Sequence, residues 1–432
     1  LKRIVGLPVP HSKNTADYKP EEISNPSEVR LPMKMHSGSP AKPIVSVGEE
    51  VQIGQLIGEA EGRVSSPVHA SVSGTVKSIN EHDAVTGQKA LSVTITSDGK
   101  KTVFEGLAPP AVTNTAEFLK AVHDSGVVGL GGAGYPTAPK LTLKEGTRLD
   151  YILINGAECE PYITSDTRTM IDEAEYVAEG ARLMKEYLRP ENILICVENN
   201  KPEAIKELER LTAGEAGIGV RVLPSKYPQG ERKVLVYNVT GRIVPEGGRL
   251  TDVGCIVVNC TTVAVFAKYI QTGMPLVSKC VTVDGSAVIT PKNVIAPIGT
   301  PIGRLFDACG GLKDDCKKIL MGGPMMGAAV PNTELPVVKV TNALLALNAK
   351  DARPPVPTAC IKCGRCIRKC PMRLMPSHIE SAYEAKKIDL LKQYKVNMCA
   401  ECGCCAWLCP AKRPLAQVMT LSKELLWEAR QG

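Results

Sequence analysis

Residues Cys360 to Pro371 read C-I-K-C-G-R-C-I-R-K-C-P, and Cys399 to Pro410 read C-A-E-C-G-C-C-A-W-L-C-P. Both are the run C-x2-C-x2-C-x3-C-P, in which three closely spaced thiolates grip one [4Fe-4S] cube and the fourth crosses to the other. The spacing predicts one cluster on Cys360, Cys363, Cys366 and Cys409, and a second on Cys399, Cys402, Cys405 and Cys370. Thiolate is the soft ligand that iron-sulfur clusters select. Pro371 and Pro410 turn the chain away after each fourth ligand. Zinc sites more usually set two C-x2-C knuckles on one ion, with no third cysteine and no closing C-P. Cys404 stands out of register in the second run and is expected to be a bystander thiol.

A chain of 432 residues is too long for one core and predicts several domains. Hydrophobic content of 44% suffices for burial, but with only 4% aromatic residues the cores must rest on Val, Ile, Leu and Ala. The net charge of +7 suits an acidic redox partner or an anionic surface, while no basic run with interleaved aromatics points to nucleic acid. Sixteen cysteines, eight of them in cluster spacing, fit a reducing compartment. Leu1 to Pro10 has no apolar leader pattern, and no run of about 18 apolar residues is present to span a bilayer.

Upstream, Leu1 to Pro43 reads as an extended arm rich in Pro, Ser, Lys and Asn. From Val45 to Ile95 short apolar pieces broken by glycine predict a small all-β barrel or sandwich. Its V-G-E-E-V-x-x-G-Q-x-I and S-P-V-H-A-x-V-S-G-x-V wording resembles the biotinyl/lipoyl barrel-sandwich hybrid. The carrier lysine of such domains is replaced by the turn Gly58-Glu59-Ala60-Glu61-Gly62, so a scaffold without a swinging arm is expected. His69 reads as a packed strand residue. After an A-P-P-A linker at Ala108 to Ala111, Asn114 to Glu117 opens a helix with Phe118, Leu119 and Val122 on one face. Then comes G-L-G-G-A-G-Y-P-T-A-P-K, Gly129 to Lys140. Gly129, Gly131 and Gly134 satisfy G-x-G-x-x-G, but a helix rather than a strand precedes them, so the dinucleotide fingerprint is weak. Such a cluster can press backbone N–H groups against a phosphate, or be an irregular turn.

Strand Tyr151 to Asn155, a helix from Thr167 to Leu188, strand Asn192 to Val197, helix Pro202 to Leu211 and strand Gly219 to Leu223 alternate, which predicts an α/β layer with a largely parallel sheet. Ligands bind at the carboxyl ends of such strands, where Asn155 to Pro161 and Lys226 to Glu231 lie. A second β-rich unit follows Gly241, and the R-P-P-V-P stretch within Lys350 to Thr358 reads as a hinge before the cluster module. Cys159, Cys196, Cys255, Cys260, Cys280, Cys309 and Cys316 lack ligand spacing and read as small buried hydrophobes. Lys362, Arg365, Arg368 and Lys369, with Lys386, Lys387, Lys392 and Lys395, are either solvated charge or a face for an acidic ferredoxin. Leu415, Val418, Met419, Leu425 and Leu426 form the apolar stripe of a last helix, expected to pack on its own module.

Taken together these stretches, with N-G-A-E-C-E-P-Y-I-T-S-D-T-R, K-Y-P-Q-G, A-P-I-G-T-P and M-G-G-P-M-M-G, resemble the C subunits of Rnf complexes, membrane-associated ferredoxin:NAD oxidoreductases, over nearly the whole chain. The middle also resembles the flavin subunit of respiratory complex I. The resemblance implies a multidomain α/β and α+β chain: an arm and barrel-sandwich hybrid (1–110), a Rossmann-like FMN/NADH-binding domain (111–240), a β-grasp soluble-ligand-binding module (241–335), and a linker with a two-cluster ferredoxin-like domain (336–432). It implies two [4Fe-4S] clusters, FMN, and NAD(H) as substrate. By carry-over, Gly129, Gly131, Gly132, Gly134 and Lys140 belong to the FMN phosphate region. Asn155, Glu158 and Glu160 contact flavin and nicotinamide, with the two glutamates as the catalytic pair. Tyr135 takes the aromatic place beside the dinucleotide, and Tyr227, Gly230 and Glu231 match a later tyrosine-glycine-glutamate patch.

The expected function is the NAD(H)-facing subunit of a complex coupling ferredoxin–NAD electron transfer to Na+ or H+ movement. It would be peripheral on the cytoplasmic face, held to the membrane through partner subunits, and linked to ferredoxin through the complex. Two alternatives are a soluble NADH-dependent flavin and iron-sulfur reductase of the corrinoid-reductase type, and a non-catalytic electron carrier.

Overall fold

In a computed structural model the described residues are 6–84, 87–132 and 134–431, so Leu1 to Val5 of the arm lie outside them. The barrel-sandwich unit pairs Glu28–Pro32, Lys89–Ser97, Gly74–Asp83 and Glu50–Val51 in one antiparallel sheet. Lys42–Pro43, Leu56–Glu59 and Val68–His69 form the facing sheet. The inward residues Val29, Leu31, Ile57, Val68, Val76, Val93 and Ile95 are buried, as the period-2 pattern requires.

The α/β unit is a parallel sheet ordered Ile218–Leu223, Asn192–Glu198, Tyr151–Gly156, Cys255–Asn259. The last strand and the helix Cys260–Thr272 lie beyond residue 240, where the sequence placed a module boundary. They belong to this sheet because Cys255–Asn259, buried throughout, pairs residue for residue with Tyr151–Asn155, a long-range match that periodicity cannot show. The single helix expected from Thr167 to Leu188 is two, Ser165–Asp172 and Ala174–Leu188. The break at Glu173, whose φ is −122°, lets the first helix bury all of Ser165 to Met170 while the second packs on Cys260–Thr272.

The β-grasp sheet runs Glu21–Glu22, Lys292–Pro297, Ser278–Asp284, Ala343–Asn348, Cys316–Met321, Ala328–Ala329. It takes one strand from the arm and one, Ala343–Asn348, from the stretch expected to be linker. Lys339, 1% exposed, ties three units together by donating to Ser66 Oγ (3.1 Å), Pro67 O (2.6 Å) and Gly126 O (2.7 Å).

The cysteine module is an internal repeat. Helices Arg365–Arg368 and Cys404–Trp407 begin 39 residues apart (404 − 365), as do Pro376–Glu384 and Leu415–Gln431 (415 − 376). The left-handed residues Lys362, Gly364 and Arg373 recur at the same offset as Glu401, Gly403 and Lys412. Val418, Met419 and Leu426 of the last helix are buried in the module's own core with Leu425 packed against it, and Leu415 is buried as well, as the stripe predicted. Among the described residues no helix is long and apolar enough to cross a membrane.

Candidate active site

The glycine stretch is a tight loop: Gly129 N donates to Tyr135 O (2.8 Å) and Gly134 N to Gly129 O (3.0 Å). It is bolted to the N-terminus of helix Cys260–Thr272. Thr262 Oγ1 accepts from Leu130 N (2.9 Å) and donates to Val128 O (3.0 Å), while Asn259 Oδ1 caps the helix by accepting from Thr262 N (3.1 Å). A side chain at Gly131 would meet Asn259 Nδ2 at 3.3 Å, and Gly132, at φ +106°, faces open space. Bare backbone therefore lies beside the positive end of a helix dipole, the arrangement that receives a phosphate. Lys140 and Arg232 face the same space. Burial, with Arg232 nearby, pushes the Lys140 ammonium down to about 8. Among the described residues neither cation has a hydrogen-bonded or ion-paired partner.

At the carboxyl end of the central strand the loop 156–163 is over-determined. Glu158 has left-handed backbone (φ +45°). Its carboxylate accepts from Asp166 N (2.6 Å) and Thr167 N (3.2 Å), capping helix Ser165–Asp172. From the arm, Lys13 donates to Glu158 O (2.7 Å), Glu160 O (2.9 Å) and Ile163 O (2.5 Å), and its Nζ lies 3.9 Å from the Glu158 carboxylate. Below, Lys201 donates to Ala157 O (2.8 Å) and pairs with buried Glu198 at 3.3 Å. Asn155 Nδ2 donates to Gly230 O (3.0 Å), and Glu231 caps helix Arg232–Thr240 through Lys233 N (2.8 Å) and Val234 N (2.9 Å).

The expected glutamate pair is thus divided. The carboxylate of Glu158 is taken up in holding the loop. Glu160 accepts from Met325 N (3.1 Å) and lies 3.4 Å from the Tyr227 hydroxyl, and burial raises its carboxyl to about 7. Buried Tyr227 donates its hydroxyl to Cys402 O (2.7 Å), so it joins this loop to the second cysteine run.

All twelve residues expected outside the clusters line one cleft of about 2070 Å³: Gly129, Gly131, Gly132, Gly134, Tyr135, Lys140, Asn155, Glu158, Glu160, Tyr227, Gly230 and Glu231. That exceeds the roughly 300–1,000 Å³ of a single-ligand pocket. Cys399, Ala400 and Glu401 of the second cysteine run line the same cleft.

Cys370, Cys399, Cys402 and Cys405, the four expected to share a cluster, surround one small cavity, and burial among neighbouring thiols lifts Cys399 to about 11. A cluster fits this donor set, since iron would convert the buried thiols to thiolates. Cys404 also borders the cavity, but it packs with Leu7, Cys159 and Tyr227. The other run stands outward. Cys360 is exposed, Cys363 lies just ahead of helix Arg365–Arg368, and Cys366 lies within that helix, which packs on Cys404–Trp407. Among the described residues no three Cys, His, Asp or Glu side chains converge on a single-ion site.

Family models match in the order of these units. They are an RnfC barrel-sandwich hybrid domain at residues 3–100, a Nuo51 FMN-binding domain at 122–268, an SLBB domain at 280–329 and a 4Fe-4S dicluster domain at 356–410. The chain is 37% identical, over 99% of its length and 98% of the relative's, to the C subunit of the Na(+)-translocating ferredoxin:NAD(+) oxidoreductase complex of Acetobacterium woodii. It belongs to the RnfC family. A second member, the C subunit of the proton-translocating ferredoxin:NAD(+) oxidoreductase complex of Clostridium ljungdahlii, is 38% identical over 85% of this chain and 81% of that one. Among solved structures, the NAD+-reducing [NiFe]-hydrogenase in its H2-reduced state overlays at TM-score 0.49 and 17% identity, covering 74% of this chain and 62% of that one, a likeness of outline only.

Within this RnfC-family chain, sequence reasoning missed Lys13, Asn259 and Lys201. Asn259 carried a legible signal, an Asn at the end of an apolar strand followed by Cys-Thr-Thr, but the misplaced boundary hid it. Lys13 carried none, because its partners lie about 145 residues away.

Proposed function

We infer that the chain is the NAD(H)-facing electron-transfer subunit of a ferredoxin:NAD+ oxidoreductase complex, peripheral on the cytoplasmic face of the membrane. The glycine loop, the N-terminus of helix Cys260–Thr272, and Lys140 with Arg232 receive the phosphate of FMN. Asn155, Gly230 and Glu160 border the place of its ring, and Tyr135 stands beside the dinucleotide. FMN held there would supply the conversion between electron pairs and single electrons that a cube cannot make. The chain's own part is to fix that geometry. Lys13, Lys201 and Glu158 hold the loop that borders both ligands, and Tyr227 fixes the inner cysteine run against the cleft. With no membrane-crossing helix among the described residues, ion movement is assigned to partner subunits.

One observation carries this reading: the cleft lined by the glycine loop and the Asn155–Glu160 loop is also lined by Cys399 to Glu401. Pairs of electrons and single electrons therefore meet across one wall. Anaerobic purification with flavin and iron assays tests it. About one FMN and about eight irons per chain are expected, with the visible absorbance bleaching on addition of NADH. Flavin-free protein that fails to bleach after reconstitution with FMN would overturn it.

A further inference from the structure

The cleft does not end at the α/β unit. Beyond Tyr135 it continues along the barrel-sandwich unit, whose segment Met35–Ser37 abuts the glycine loop. Ser37 N donates to Gly134 O (2.9 Å), and a side chain at Gly134 would stand 3.6 Å from His36 Cα. Arg63 is carried alongside, because Val64 O accepts from Ser39 N (2.9 Å). On this wall the charge is one-sided. Arg30, Lys34, Arg63 and Lys89 line it against Asp83 as the single carboxylate among the described residues.

None of those four cations makes an ion pair or a side-chain hydrogen bond among the described residues, and Arg30 Nε is buried without a partner. On the same unit, Lys77 pairs with Glu28 at 2.5 Å and Lys101 with Glu22 at 3.7 Å. Unpaired cations on one wall of a concave cleft focus positive potential into it and draw in an anion. His36, 7% exposed, also lines the wall. Its Nε2 lies 3.1 Å from Ser66 N and 3.0 Å from Ser39 O, and its Nδ1 is buried without a partner.

We propose that the barrel-sandwich unit is a substrate-binding module: Lys34 and Arg63 hold the diphosphate of the dinucleotide's adenosine half, with Tyr135 at the junction. This rests on the reading of the cleft as an NAD(H) site, and makes affinity for the dinucleotide depend on a unit outside the FMN-binding domain.

Lys34→Ala and Arg63→Ala, singly and together, test it in the full chain loaded with FMN and clusters. Both side chains are exposed, so folding and flavin content should hold. With ferricyanide as acceptor, two per NADH oxidised, the double variant should raise KM for NADH by about 10-fold or more, the loss expected for charge-assisted contacts. KM for reduced nicotinamide mononucleotide, which lacks the adenosine half, should stay within about twofold. ADP-ribose binding by calorimetry should weaken in parallel with the NADH effect, and Lys77→Ala on the outward side should change nothing. An unchanged KM for NADH, or an equal rise for both nucleotides, overturns the proposal while leaving the cleft's function intact. Wild-type protein that carries flavin yet oxidises neither nucleotide overturns the underlying reading, and this proposal with it.

Discussion

The two cysteine runs share one backbone and differ in where they stand. Each places a left-handed residue before its second cysteine, a left-handed glycine after it, and then one helical turn. Yet Cys402 is 7% exposed and wedged under Tyr227 and Met325, whereas Cys360 is exposed at the end of an irregular, solvated stretch from Arg353 to Ile361. Ligation is written in local spacing and left-handed turns, so it survives duplication. Position is set by what surrounds each copy, which places the inner copy on the cleft and leaves the outer copy toward solvent.

Breaking each run in turn gives the largest contrast. Cys402→Ala and Cys363→Ala should each remove about four of about eight irons, read by iron assay and EPR. Cys363→Ala should keep wild-type NADH:ferricyanide activity and melting, while Cys402→Ala should also loosen the docked module and lower the melting temperature. Equal destabilisation by both would erase the inner and outer distinction.

Glu160 sharpens the comparison because it belongs to the inner side alone. Its carboxyl rises from 4.5 to about 7, so the folded chain favours the protonated form. That contribution is complete below pH 4.5 and is lost as pH climbs through about 7. Glu160→Gln should therefore match wild type in acid and exceed it by roughly 3 kcal/mol near pH 8, measured by denaturant unfolding across pH.

Tyr227→Phe should cost about 1–3 kcal/mol, since Cys402 O is left buried without its donor. It should shift the inner cluster's EPR signal and leave the outer one unmoved. An effect on both signals alike would mean that Tyr227 holds the whole module rather than the inner run.

The smallest effect is expected at Cys404. The repeat puts Arg365 at the equivalent place (404 − 39 = 365), so the position needs no ligand. Cys404→Ala should keep about eight irons and cost about 1 kcal/mol in packing.

Residue order alone predicts the ligand sets, the succession of modules and the short elements: thiolate spacing, capping residues and helical or strand periodicities are local physics. The twelve residues that share the cleft are named through the family resemblance that those motifs carry. What it left undecided concerned partners far apart in the chain. Which strands belong to which sheet, that Glu160 meets Tyr227, and that Lys13 reaches under the loop all depend on neighbours far along the chain that periodicity cannot supply. Hydrogen bonds and ion pairs are satisfied by whatever folding brings near, and only the closed tertiary structure decides which neighbour that is.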